Sequence, residues 1–320
     1  MKKNPLPVYV GMDVAKATLQ VHLQNRQIQF GNDVAGHTLL CKELGRFPTA
    51  HVVCEATGGY EDAIARAFAA AKIPVSIVNP AQVRHSAQAQ GKRAKTDPLD
   101  AALLTDYGQR FQPPATPPVL ATQRQLEELT LWLSQTIQAR AIAKTQAEHQ
   151  SNPFVCAQHQ ERLDHYTAQI RALLQQDQIL ARRVECLDQI VGVGPRTAWL
   201  VLAHLPELGK LNRQQVAALA GLAPWPTDSG EVKGIRHIRG GRHEVRRALY
   251  MAALCAARSN PVLKEFYQRL ILRNKPAKVV LTAVMRKLIV HMNNEVKKLA
   301  ARHVETKTAK TQKTKKSLAK

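Results

Sequence analysis

The chain has few cysteines, few acidic residues and no long apolar run. Its five cysteines, at 41, 54, 156, 186 and 255, lie far apart and form no Cys-x-x-Cys pair. This spacing argues against a cysteine zinc site and a disulfide framework, and it fits a reduced cytoplasm. No apolar run approaches the roughly 18 residues that a membrane-spanning helix needs, and the amino terminus lacks the apolar core of a signal peptide. We therefore expect a cytoplasmic protein with no membrane partner.

Basic residues dominate the charge. The 46 lysines and arginines outnumber 24 acidic residues, which gives a formal net charge of +22. A phosphate polymer is the natural partner of such a chain, and association with the nucleoid is the expected location. The length of 320 residues and an apolar fraction of 45% predict two or three domains with their own cores.

Short strands alternate with helices in the first part of the chain. The patterns predict strands at 8–12, 18–23, 27–30, 50–54 and 75–78, and helices at 38–47, 61–71 and 97–110. Asp97 is the expected N-cap of the last helix, with Pro98 at its first helical position. This order predicts an α/β, ribonuclease-H-like domain over residues 1–111.

Four acidic residues in this region form a candidate metal site. Asp13 and Glu55 each end an apolar run, whereas Asp97 and Asp100 are three residues apart and so project from one helix face. If the helix crosses the sheet, the four carboxylates meet, and they would repel one another unless cations lay between them. Two Mg²⁺ ions would fit there and clamp a phosphodiester. Oxygen ligands suit Mg²⁺ or Mn²⁺ rather than zinc.

Each carboxylate also has an ordinary explanation. Asp13 is compatible with a turn, and Asp97 with Asp100 is compatible with a capping box. Glu55 is harder to explain in this way, because it follows apolar residues and desolvating an unpaired carboxylate is costly.

A proline-rich stretch, 112–118, predicts a stiff linker that leads into two helical patterns. Their apolar residues recur at spacings of three and four: Leu126, Leu129, Leu133 and Ile137, then Leu163, Tyr166, Ile170 and Leu173. Residues 112–183 thus predict a linker and an antiparallel helical hairpin, or a coiled coil with another subunit. A solvated helical spacer is the alternative.

The third region, 184–300, is predicted to be mainly helical, with helices at 243–258, 261–273 and 276–298. Residues 190–198 resemble the turn of a helix-hairpin-helix module, in which glycines let backbone amides approach a DNA phosphate. An ordinary glycine turn between two helices explains the same residues. The lysine-rich stretch 301–320 predicts a disordered basic tail that lies on nucleic acid.

Ser229 lies between Asp228 and Gly230 in a predicted loop, 224–230, which precedes a basic segment. A hydroxyl held among arginines can attack phosphorus while the cations stabilise the developing charge. The basic residues that we expect to contact nucleic acid are Lys233, Arg236, Arg239, Arg242, Arg246 and Arg247. A turn serine beside a DNA-backbone surface without chemistry is the alternative.

Several short motifs together resemble the transposases of insertion sequence family one hundred ten (IS110). The motifs span residues 9–16, 54–60, 95–101, 192–195, 220–224, 228–230, 239–242 and 246–250. Each is weak alone, but the set is specific and covers residues 8 to 298.

The resemblance implies a RuvC-like domain in which Asp13, Glu55, Asp97 and Asp100 bind Mg²⁺, and a second domain with an essential serine at Ser229. It also implies a recombinase that excises and inserts its own element. The implied partners are donor and target DNA and a structured RNA from the element that pairs with both. A tetramer with composite sites is the implied assembly.

The acids, the serine and the basic residues, together with this resemblance, predict a DNA recombinase, and the resemblance alone implies that an RNA guides it. Three rival interpretations remain: a pilin-type DNA invertase of the same family, a metal-dependent junction endonuclease in which water attacks, and a catalytically silent nucleic-acid-binding protein.

Overall fold

The computed structural model describes residues 7–91, 97–147, 153–226, 234 and 236–317, and their side chains except those of 97, 98, 147, 153 and 303–317. The chain divides into two compact units, Met1–Val119 and Leu120–Lys320.

The first unit is a mixed α/β domain. In chain order it contains β1 (Val8–Val14), β2 (Thr18–Leu23), β3 (Arg26–Gly31), α1 (Val34–Leu44), β4 (Ala50–Glu55), α2 (Asp62–Ala70), β5 (Val75–Val78), α3 (Pro80–Ala89) and α4 (Asp97–Phe111). The five strands form one sheet in the order β3-β2-β1-β4-β5. The first three strands pair antiparallel, whereas β4 pairs in parallel with both β1 and β5.

Strand β1 lies at the centre of the sheet and is covered on both faces. Alternate residues of a strand point to opposite faces. Val10, Met12 and Val14 belong to one apolar core, which includes the fully buried Phe68 of α2. Tyr9 belongs to a second core that it shares with Leu104 of α4. Asp13 follows Tyr9 by four residues, so both lie on the same face of the sheet, which α4 covers.

Two glycines allow α4 to lie directly on this face. A Cβ atom at Gly11 of β1 would clash with the carbonyl oxygen of Ala101, and one at Gly108 would lie 2.7 Å from the Tyr9 ring. The Gly11 amide donates a hydrogen bond of 2.8 Å to Oγ1 of Thr105. Helix α4 therefore packs on β1 so closely that the two backbones are in contact.

The predicted strands and most of the predicted helices of this unit are confirmed. Strand β1 is two residues longer than predicted, so Asp13 lies inside the strand near its end. Helix α1 begins at Val34 because the Asp33 side chain accepts a hydrogen bond from the Gly36 amide. Helix α3 was missed. Asn79, interpreted as closing β5, is its N-cap and accepts from the Ala81 amide.

The proline-rich linker is held against the edge of the sheet. Thr116 donates its amide to the Val75 carbonyl at 2.8 Å, and its hydroxyl accepts from the Ile77 amide at 2.9 Å. The Ser76 hydroxyl lies 2.8 Å from the Pro114 carbonyl oxygen. The linker therefore belongs to the first unit.

The second unit is mostly helical. In chain order it contains α5 (Ala121–Ala147), α6 (Pro153–Gln176), α7 (Gln178–Asp188), α8 (Pro195–His204), α9 (Arg213–Leu219), β6 (Pro224–Trp225), β7 (His237–Ile238), α10 (His243–Ser259), α11 (Pro261–Ile271) and α12 (Ala277–Ser317). Among the helices with described side chains, none is both long and apolar enough to cross a membrane.

Helices α5 and α6 pack against each other and share one core with the rest of this unit. Leu126, Leu133, Leu163 and Ile170 are all buried in that core, together with Leu288 of α12. The expected middle region 112–183 is thus divided between the two units. Its proline-rich part pairs with β5. Its helices pack on each other and on α7 and α8 rather than forming a solvated spacer, although Ile137 of the predicted stripe is 37% exposed.

The predicted disorder of residues 301–320 is corrected for most of that stretch, because α12 continues to Ser317. No glycine or proline follows Pro276, and alanine and lysine, which favour helix, are frequent there.

Candidate active site

Asp13 and Glu55 lie at the same end of two neighbouring parallel strands. Met12 of β1 is in register with Cys54 of β4, and the next residue on each strand is the acid. Neighbouring strands are about 4.8 Å apart, so the two carboxylates leave the sheet side by side. Both residues are half-buried. The structure therefore brings these two predicted site residues together.

Helix α4 approaches this end of the sheet with its amino terminus. Gly108 lies against Tyr9, and Ala101 and Thr105 lie against Gly11, so α4 runs opposite in direction to β1. Asp13 lies two residues beyond Gly11 on β1. The part of α4 on that side is its first turn, which contains Asp97 and Asp100. The first turn of α4 therefore approaches the end of the sheet that carries Asp13 and Glu55.

The described side chains do not complete a metal cage. Among them, no group of three or more histidine, cysteine, aspartate or glutamate side chains is placed to hold a metal ion. The Asp97 side chain lies outside the described atoms. Asp13 and Glu55 are adjacent, whereas Asp100 is not joined to them in one cluster.

Cys54, which precedes Glu55, cannot act as a thiolate near neutral pH. Burial raises the pKa of its thiol to about 12, and the negative charges of Glu61 and Glu55 add to the effect. A protonated thiol is a poor ligand and a poor nucleophile. Cys54 also belongs to the same apolar core as Met12, on the face of the sheet opposite to Asp13, so it is not a candidate ligand.

Glu61 was missed by the sequence analysis, although it shapes the turn that follows Glu55. Its Oε2 accepts hydrogen bonds from the Thr57 hydroxyl at 2.8 Å and from the Gly59 amide at 2.9 Å. Burial acts to raise the pKa of Glu61, but these hydrogen bonds hold it below its ordinary value. Gly58 and Gly59 both have positive φ, which glycine adopts without strain. The spacing of Thr57 and Glu61, four residues apart, is the feature of the sequence from which this contact could have been predicted.

Thr105 and His22 form a second polar contact beneath the acids. The Thr105 hydroxyl lies 2.9 Å from Nδ1 of His22 and accepts from Gly11. Burial lowers the pKa of His22, so the ring is neutral near neutral pH. This contact joins α4 to β1 and β2, and it thereby sets the position of Asp97 and Asp100.

Gly11→Ala is expected to displace α4. A Cβ atom at this position would collide with the backbone of Ala101, and overpacking typically costs about 1–3 kcal/mol, occasionally more. We expect a lower midpoint of chemical denaturation. Gly45→Ala is the control, because Gly45 has a helical φ of −60° and its nearest new contact would be 3.3 Å. Equal midpoints for Gly11→Ala and wild type would contradict this account of α4.

The serine loop is closed by a short hairpin. Ser229, Asp228 and Lys233 lie outside the described residues. Pro224 and Trp225, predicted to belong to a loop, pair as β6 with β7 at Ile238 and His237. The segment between these strands therefore leaves and returns at one place on the second unit.

Three of the predicted phosphate-binding arginines make intramolecular contacts. The Arg242 guanidinium donates to both carboxylate oxygens of Glu207, at 2.6 and 2.7 Å. Arg246 donates to the Gly240 carbonyl at 2.8 Å, and Arg247 lies 2.7 Å from Glu244. Arg242 and Arg246 thus hold the segment between β7 and α10, whereas the Arg247 pair lies within α10.

Glu207, which accepts both hydrogen bonds from Arg242, was not predicted from the sequence as a residue of this site. Burial acts to raise its pKa, but the hydrogen bonds from Arg242 hold the pKa below its ordinary value. A bidentate pair of this kind is geometrically specific. It joins Arg242, the N-cap of α10, to the segment after α8, a contact between positions 35 residues apart in sequence.

Arg236 and Arg239 are exposed, and both lie next to the hairpin. The Arg239 guanidinium lies 5.9 Å from the centre of the Trp225 ring. Arg236 lines a cleft with residues of α11 and α12. Both cations therefore lie beside the strands β6 and β7, which flank the segment with Ser229 in sequence.

Gly192, in the predicted helix-hairpin-helix turn, has a packing role. Its φ is +98°, and a Cβ atom there would lie 2.5 Å from the Cβ of Ala256. The turn between α7 and α8 therefore packs tightly on α10, as an ordinary glycine turn does. At Gly194, by contrast, a Cβ atom would meet open space.

Comparison with known proteins identifies both halves of the chain. Residues 10–150 match a model of DEDD transposases of the IS110 type, and residues 184–268 match the transposase IS116/IS110/IS902 family. Together the two matches cover most of the chain. The first contains all four candidate acids, and the DEDD character indicates dependence on a divalent metal ion.

Similar full-length proteins include the pilin gene-inverting proteins of Moraxella bovis and Moraxella lacunata. Each is 29% identical over 308 residues, which cover 88% of this chain and 93% of the relative. An insertion element IS110 protein of Streptomyces coelicolor is 30% identical over 124 residues, 38% of this chain and 30% of that protein. The chain therefore belongs to the IS110 family of transposases, enzymes that act on DNA as transposases or recombinases.

Proposed function

We propose that this protein is a Mg²⁺-dependent DNA recombinase that excises and inserts its own insertion sequence, with Ser229 as the nucleophile. The observation that carries the proposal is the placement of Asp13 beside Glu55 at the ends of two parallel strands, with the first turn of α4 directed toward them. This arrangement supports a RuvC-like, ribonuclease-H-type domain.

The donor set suits a hard divalent cation. Carboxylate oxygens are the ligands that Mg²⁺ and Mn²⁺ prefer, and the neighbouring Cys54 thiol stays protonated. Asp13, Glu55, Asp97 and Asp100 would hold the ion or ions. When bound, the metal would supply charge neutralisation at the scissile phosphate.

The serine step is a direct transfer of a phosphodiester. The Ser229 oxygen forms a bond to phosphorus as its hydroxyl proton leaves, and the bond from phosphorus to the sugar oxygen breaks. The departing oxygen takes up a proton and becomes a free hydroxyl end. Attack by the hydroxyl end of a second strand reverses the step, releases Ser229 and needs no other reactant.

RNA guidance and assembly belong to the same proposal. The net charge of +22 supports binding of nucleic acid in general, and the family resemblance implies that an element-encoded RNA paired with donor and target DNA is one such partner. Self-association is supported by exposed apolar side chains on α5, and the tetramer is what the family resemblance implies. Leu131, Trp132 and Ile142 are 42%, 48% and 54% exposed, and such surfaces mark protein interfaces.

A site-specific DNA invertase is the second candidate. It is favoured by the similarity to the pilin gene-inverting proteins, which extends over 93% of their length. The chemistry would be the same, but the product would be an inverted segment rather than an excised element. A plasmid carrying the segment with its flanks separates the two by the junctions that form.

Trapping of a covalent adduct tests the mechanism. The purified protein is incubated with its co-purifying RNA, DNA carrying the element ends, and Mg²⁺, and is then denatured with detergent. We expect a protein–DNA adduct that depends on Mg²⁺ and whose DNA-modified peptide contains Ser229. Cleaved DNA with no adduct, and with ends produced by water, would instead support the hydrolytic endonuclease.

A further inference from the structure

A cleft of about 950 Å³ lies within the second unit, beside the hairpin that closes the serine loop. Its walls come from β7, the start of α9, α11 and α12. The volume is at the upper end of the roughly 300–1,000 Å³ typical of ligand pockets. The site is therefore large enough for part of a polymer.

The charge of the cleft has one sign. Arg213, Arg236, Arg286 and Lys287 line it, and no carboxylate is among the described residues of its lining. None of these four cations forms an ion pair with another described residue. Lys287 also lies 4.0 Å from the centre of the Phe266 ring, which fixes its position. Such a concentration of positive charge selects a polyanion.

The floor of the cleft is apolar and open to solvent. Ile238, Val262 and Val279 are 38%, 69% and 56% exposed, and all three line it. Sites for single-stranded nucleic acid combine cations along the phosphates with side chains that contact the bases, which are mostly aromatic; in this cleft the exposed apolar contacts are aliphatic. An acidic protein would pair with the cations but would leave this floor unexplained.

The cleft lies beside the hairpin whose two strands flank Ser229 in sequence. Arg236, His237 and Ile238 form part of its wall, and His237 and Ile238 are also the strand that closes the serine loop. A DNA strand at the loop therefore needs only to follow the hairpin to enter the cleft.

We propose that this cleft binds a single DNA strand next to the cleavage point, with its phosphates on Arg213, Arg236, Arg286 and Lys287 and a base against Val262 and Val279. The inference rests on the proposed function, because it takes the serine loop as the place of cleavage. It assigns to the cleft the task of holding a strand during exchange.

The salt dependence of binding tests the phosphate contacts. The full-length protein with Arg286→Gln and Lys287→Gln is titrated against a labelled oligothymidylate over a series of salt concentrations. Each lost contact to a single strand lowers the slope of log K against log salt by about 0.7, so the double variant should lose about 1.4. The control is Lys264→Gln with Lys297→Gln, which changes two exposed cations of α11 and α12 outside the cleft.

The base contact is tested with an oligothymidylate in which abasic sites replace the bases. We expect the wild type to bind the abasic strand several-fold more weakly, and this difference to shrink in Val279→Ser, which removes one of the two valines that contact the base. Val279 is 56% exposed, so its replacement leaves the fold intact. An equal abasic penalty in both proteins would overturn the assignment of a base to this floor.

The results separate the cleft from the proposed function. If the cleft variant keeps the wild-type slope but still forms the Ser229 adduct, the cleft proposal is wrong and the recombinase proposal stands. If Ser229→Ala cleaves DNA normally while the cleft variant loses slope, the mechanism fails and the strand site remains. A slope change seen with oligouridylate RNA but not with DNA would overturn the choice of DNA.

Discussion

Ser229→Ala is expected to yield no covalent protein–DNA adduct and no strand cleavage, because alanine has no oxygen to bond to phosphorus. Binding to DNA should remain, since the charge of the loop is unchanged. The measurement pairs adduct formation on a denaturing gel with the affinity for the same DNA. The serine oxygen bonds to phosphorus only during the reaction. Its removal therefore lowers the rate of cleavage and leaves the affinity for DNA unchanged.

Thr227→Ala is the matched control, because Thr227 is a second hydroxyl residue in the same loop. It should form the adduct at the wild-type rate. Ser229→Cys should keep part of the activity or trap the adduct, since sulfur is also a nucleophile. An adduct of normal yield in Ser229→Ala, or its loss in Thr227→Ala alone, would assign the nucleophile to another residue.

Glu55→Gln is expected to lower the rate of DNA cleavage on the order of 10³-fold, because the loss of several kcal/mol of charge stabilisation by a bound metal has that effect. The amide is nearly the same size as the carboxylate, and Glu55 is half-buried at the end of β4. The fold should therefore persist. Single-turnover cleavage and a thermal melt, measured on the same preparation, separate the two effects.

Glu43→Gln provides the comparison. Glu43 is a half-buried carboxylate of the same unit whose ion pair with Arg46 measures 2.7 Å, and pairs of this kind stabilise proteins little. It should cleave at the wild-type rate. Cleavage by Glu55→Gln within a few-fold of wild type would mean that Glu55 has no part in metal binding.

The sequence predicted the sheet because its strands carry an unambiguous apolar period. Thr18–Leu23 and Val75–Val78 were predicted with their observed bounds. Both are short, are bounded by turn residues and alternate or stay apolar throughout. Helix α3 was missed since its local composition is polar and its start, Asn79-Pro80, also reads as the end of a strand.

The residues that position the site were harder to predict than the acids themselves. Thr105 and Gly11 are 94 residues apart, and Arg242 and Glu207 are 35 apart. No local pattern records such a pairing, because the fold brings together residues that are distant in sequence. Glu61 is closer to its partners, yet its role depends on burial and on the positive φ of Gly58 and Gly59.

Charge was a good guide to the partner and a poor guide to individual contacts. The excess of basic residues predicted nucleic acid, in agreement with a DNA transposase. Composition could not show that Arg242 and Arg247 are held by carboxylates while Arg236 faces a cleft. That division is decided by tertiary packing.

The convergence of the acids is tested most directly by anomalous diffraction from crystals grown with Mn²⁺. The account predicts a manganese peak within about 2.2 Å of carboxylate oxygens of both Asp13 and Glu55, with Asp97 or Asp100 completing the coordination. The peak should disappear in Glu55→Gln. A peak at another place, or carboxylates of α4 and the two strands that face separate solvent at saturating Mn²⁺, would contradict it.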